Sequence, residues 1–120
     1  MTMRYLSIFK SPERNTPPTE EEMATMGQYI EERQRAGVLL TTEGCLPSAM
    51  GARVRRSGDK VSVTDGPFAE AKEVVGGFAI FQANSKEEAI EEARKFLQVV
   101  GTDGECELRQ LYEVPALAPA

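Results

Sequence analysis

The chain contains no histidine and no tryptophan, and it has only two cysteines. Without histidine there can be no Ser–His or Cys–His nucleophile pair, no histidine ligand for a haem, and no ordinary zinc site. The commonest general acid–base group at neutral pH is absent as well. No apolar run approaches the length of a membrane span, and the start at Met1–Tyr5 lacks a signal peptide's apolar region. A cytoplasmic location with reduced thiols is therefore expected, and Cys45 and Cys106 read as buried structural cysteines. A basic excess is missing too: 14 Lys and Arg stand against 19 Asp and Glu, a net charge of −5. That balance excludes a duplex nucleic acid as partner, since phosphate binding needs a concentrated basic surface. The cluster Arg53, Arg55, Arg56 and Lys60 reads as the solvated side of a hairpin. No glycine-rich phosphate loop follows a strand, so neither a cofactor nor a metal is expected.

What remains is ordinary globular composition, 41% hydrophobic and 28% charged, in 120 residues. One domain over residues 1–114 is expected, with a disordered tail over 115–120. Arg4–Phe9 reads as a first strand. Thr19 and Glu22 then form a capping box for a helix over Glu20–Ala36, stopped by Gly37. Met23, Met26 and Ile30 lie at helical spacing and read as core packing. Val38–Thr42 is a second strand. Gly51–Ser57 and Lys60–Thr64 alternate around a short turn as a hairpin. Val74–Ala83 is a strongly apolar strand. A second capping box at Ser85 and Glu88 opens a helix with a stripe of Ala89, Ala93, Phe96 and Val100. Cys106–Val114 alternates as a last strand.

Strand–helix–strand repeated twice is the split βαβ, ferredoxin-like order of an α+β domain with an antiparallel sheet. In the first strand Leu6 and Ile8 point to one side, Tyr5 and Phe9 to the other. Val74–Ala83 has Phe78 and Ile80 on one side, Ala79 and Phe81 on the other. Apolar residues on both faces imply that both are covered, yet the two helices can cover only one. A homodimer is the economical expectation.

The segment VTDGPFAEAKEVVGG over residues 63–77 resembles the YCII-related family, specifically its DGPF-domain branch. Gly37–Leu39 and Glu43–Pro47 carry the likeness upstream, and it extends over roughly Met3 to Tyr112. The resemblance implies a ferredoxin-like subunit that forms a dimeric α+β barrel. A related branch carries a His–Asp pair, and one relative eliminates chloride from a chlorinated aromatic ring. Some DGPF proteins are encoded beside, or fused to, alternative sigma factors. With no histidine here, only Asp65 can inherit that pair, and it stands without its partner.

Two readings of the turn Asp65–Phe68 stand side by side. In one it is a joint: Pro67 sets the backbone, Asp65 accepts hydrogen bonds from nearby N–H groups, and Phe68 plugs the core. In the other Asp65 is a general acid or base whose pKa is raised by burial, with Lys72 steadying an anionic intermediate. Glu43, Lys72, Tyr5 and Gly76 are then the candidate substrate-binding residues, Gly76 because glycine lets a ligand approach closely. The function expected is a small-molecule-binding dimer, either a cofactor-independent enzyme using Asp65 or a non-catalytic sensing module that engages a sigma factor.

Overall fold

In a computed structural model described for residues 1–113, two local signals set the elements: alternation for strands and caps for helices. The order is β1 (Met3–Ser11), α1 (Glu20–Arg35), β2 (Leu39–Gly44), a 3₁₀ turn (Ser48–Met50), β3 (Ala52–Ser57), β4 (Lys60–Asp65), β5 (Val74–Ala83), α2 (Lys86–Val100) and β6 (Glu105–Gln110). At the head of α1 the Thr19 hydroxyl accepts from the Glu22 N–H, and the Glu22 carboxylate accepts from the Thr19 N–H. Glu20, Glu21 and Glu22 crowd the first turn and Arg33 and Arg35 the last, each favourable to the helix dipole. At α2 the Ser85 hydroxyl caps the Glu88 N–H, but Glu88 reaches one residue further back, to the Asn84 N–H. Gly101, at φ 71°, ends that helix in the left-handed region where glycine costs least.

The main sheet is antiparallel in the order β2-β5-β1-β6, the split βαβ arrangement the sequence predicts. β3 and β4 pair only with each other, and every residue of this hairpin is exposed. Along β1 and β5 the registered pairs Tyr5–Phe81 and Ser7–Ala79 face the helices. Tyr5 and Phe81 stack with centroids 6.1 Å apart, over Ala89 of α2. Phe9 meets Phe96 edge to face at 5.3 Å. The packed core is thus centred on β1, β5 and α2.

Several expectations change. β6 ends at Gln110, not Val114, and the 115–120 tail falls outside the described residues. Cys45 is exposed rather than buried, because it lies just past the end of β2 with its N–H donated to the Gly76 carbonyl. Cys106 is half-buried, and burial pushes its thiol up. Phe68 does not plug the core: its ring lies 3.8 Å beneath the Arg53 guanidinium, a cation–π contact at the hairpin's base. Among the described residues no helix is long and apolar enough to cross a membrane.

Candidate functional site

The sheet floor under α1 is built from small residues. Ser7 on β1, Thr42 and Gly44 on β2, and Gly77 and Ala79 on β5 leave a trough there. Gly77 is required by the close approach of β2, since a Cβ would come within 2.6 Å of the Glu43 carbonyl oxygen. Side chains this short cannot reach the helix, so α1 spans the trough without burying one of its residues. The result is a cleft of about 700 Å³ between α1 and the sheet. That lies within the usual volume range of small-molecule sites.

Met23, Met26, Tyr29 and Ile30 of α1 form the roof, and Phe9 and Phe96 form an aromatic wall. Met23 and Met26 therefore line a cavity instead of filling a core, and Met23 is 56% exposed. Thioether side chains suit such a surface because they adapt to irregular ligand shapes.

Each of the two arginines in the lining is held by a carboxylate. Arg33 of α1 makes a two-pronged contact with Glu92 of α2, Nε donating to Oε2 at 3.1 Å and a terminal nitrogen to Oε1. Both side chains are only 16% exposed, and Lys95 also approaches Glu92, at 3.6 Å. Arg14 donates to both oxygens of Glu22, at 2.8 and 3.2 Å, and to the Pro17 carbonyl at 3.1 Å. The Arg14 and Thr19 contacts hold the Glu22 carboxyl down to about 2. Burial first, then the Glu92 charge, pushes the Tyr29 phenol upward.

The DGPF turn sits outside this cleft and is tied to its rim. The buried Ser48 hydroxyl accepts from the Phe68 N–H at 3.1 Å and donates to Glu13 at 2.6 Å, while the Ser48 N–H donates to the other Glu13 oxygen at 2.6 Å. These bonds hold the Glu13 carboxyl below its usual range. Glu13 is next to Arg14 of the lining, so one chain of contacts joins Phe68 to the loop at the cleft mouth. Gly66 lies so close to the Ser48 carbonyl that a Cβ would overlap its oxygen.

Of the residues singled out by sequence, Gly76 lines the cleft, whereas Glu43 borders it on the edge strand β2 and is registered opposite Phe78, which places its side chain on the other face of the sheet. Asp65 is exposed at the end of β4, registered opposite Ala52, and no side-chain hydrogen bond among the described residues reaches it. Lys72 is exposed between β4 and β5 and is not part of the lining. Tyr5, at 5% exposure, belongs to the packed core. Sequence reasoning missed Arg33 and Glu92. A signal was present: Met23, Met26, Ile30 and Arg33 share one helical stripe, and Glu92 sits on the inner side of α2 beside Ala89 and Phe96. Charged residues inserted at such positions need each other. Among the described residues no group of three His, Cys, Asp or Glu is placed to hold a metal.

An uncharacterized protein of Rhizobium meliloti (strain 1021) is 34% identical to this chain over 88 residues, which is 73% of this chain and 68% of that protein. The sequence model of the YCII-related domain family matches residues 3–113, a span that holds the whole sheet, both helices, the hairpin and the cleft. The chain belongs to the YCII-related domain family.

Proposed function

We propose that this protein is a small-molecule-binding domain that holds a mainly apolar ligand, about the size of one or two fused rings, between α1 and the sheet. The carrying observation is the cleft of about 700 Å³ roofed by a helix with no buried residue. A helix of 16 residues that buries none of them fully leaves apolar surface in water, and a ligand removes that surface. Binding is the activity this geometry supports. Asp65 stands apart from the lining, so the reading does not rest on acid–base chemistry at that carboxylate.

We further propose that the subunit works as a homodimer whose second copy covers the other sheet face, in the manner of a dimeric α+β barrel. Leu6, Ile8, Phe78 and Ile80 on that face support this, Phe78 being 36% exposed. The unpaired cysteines support a reducing, cytoplasmic setting.

The test uses the neutral fluorophore N-phenyl-1-naphthylamine, whose emission rises in an apolar site. Saturable binding is expected, and Met26→Trp, which fills the cleft from its roof, should weaken it at least tenfold while far-UV circular dichroism stays unchanged. Undiminished binding by a folded Met26→Trp protein would refute the assignment to this cleft.

A further inference from the structure

The lining charges say more about the ligand than the cleft's size does. Two arginines, Arg14 and Arg33, face three glutamates, Glu21, Glu22 and Glu92. Both arginines are already engaged in the two-pronged manner that guanidinium favours, with each carboxylate oxygen of Glu22 and of Glu92 occupied. Arg14 spends a further donor on the Pro17 carbonyl. No cation of the lining is left without its own anion, whereas Glu21 has no ion-pair partner among the described residues. An anionic ligand would therefore meet a net negative wall or have to displace a fixed internal carboxylate. The Arg33–Glu92 pair resists displacement most, since a charge abandoned at 16% exposure is poorly hydrated.

We infer that the cleft rejects carboxylates and other anions and selects an apolar molecule that is uncharged or carries an amine. This rests on the proposal that the cleft is the binding site and specifies the class of ligand it takes. Neutral and cationic ligands pay no such penalty, and the charge of Glu21 attracts an amine at the rim. The internal salt bridges act as built-in occupants of the arginines, set against anions.

Two probes of one scaffold test this: neutral N-phenyl-1-naphthylamine and its sulfonate, 8-anilinonaphthalene-1-sulfonate. Titrated by fluorescence at low salt, the neutral probe should bind at least tenfold more tightly, about 1.4 kcal/mol. Part of any such preference is hydrophobicity, so the ratio is compared between variants. Glu22→Gln frees Arg14, and glutamine at this position can still close the capping box, so the fold should be retained. It should narrow the ratio at least threefold by strengthening sulfonate binding. Glu92→Gln, which frees Arg33, should act in the same direction and provides a second reading. A sulfonate that binds the wild type as well as the neutral probe would overturn the charge selection and leave the cleft assignment standing. An unchanged ratio in both variants would overturn it in the same way. Binding of neither probe would overturn the cleft assignment and the selection together.

Discussion

Gly66 and Phe68 act through one serine. The Gly66 α-carbon packs against the Ser48 carbonyl and the Phe68 N–H donates to the Ser48 hydroxyl, while the same serine holds Glu13 by two hydrogen bonds. Ser48 is 8% exposed, so bonds lost there are not replaced by water. Ser48→Ala should lower stability by about 1–3 kcal/mol in urea unfolding. Asp65→Asn, at an exposed side chain, should leave the midpoint unchanged. The reverse order would mean that the motif's weight lies on the carboxylate. The motif was legible as a turn, but the sequence could not reveal that its receptor lies some 20 positions earlier, because Ser48 has no local pattern that marks it.

The two helices carry similar caps and opposite burdens. α2 buries Ala89 and Ala93 against the sheet, whereas α1 depends on its termini and on the Arg33–Glu92 tie. Glu22 concentrates this dependence: it closes the capping box and pairs with Arg14. Its carboxyl is depressed from 4.5 to about 2 in the folded chain, so its contribution is present above pH 4.5 and lost as pH falls towards 2. Glu13 and Glu107 are depressed as well, by Ser48 and by Lys10 respectively, and add to the same acid-side loss. Stability should therefore fall steadily between pH 4.5 and 2, and in Glu22→Gln the slope should be shallower. Equal slopes in parallel denaturant titrations would show that Glu22 does not anchor the helix.

At the scale of the molecule, one sheet face is half filled and the other is bare. The bare face carries Leu6, Ile8, Phe78 and Ile80, with the Lys10–Glu107 and Arg109–Glu107 pairs along its β6 side. An apolar centre with a charged border is the pattern of an interface between copies. The exposed valines of the hairpin, Val54, Val61 and Val63, add apolar surface that a partner can cover. Sedimentation should give a dimer, and Ile8→Lys should raise its dissociation constant at least a hundredfold, about 2.8 kcal/mol. The lysine would sit opposite Glu107 in the register, which favours retention of the sheet in the monomer. A wild-type monomer at micromolar concentration would end the dimer proposal.

The sequence by itself determined the elements and their order. Thr19, Ser85, Gly37 and Gly101 act on backbone groups within a few positions, and strand alternation is a property of neighbouring residues, so both are legible without a fold. Which apolar surfaces are filled was decided only in three dimensions. Met23 and Met26 have the spacing of core residues, but the floor beneath them is set by Ser7, Gly44, Gly77 and Ala79 from three separate strands. The space between helix and sheet depends on the summed volumes of side chains distant in sequence, and no local pattern carries that sum. For the same reason the cleft and its paired charges emerged from the tertiary structure, while the DGPF turn, prominent in the sequence, lies outside the lining and is tied to its rim through Ser48 and Glu13.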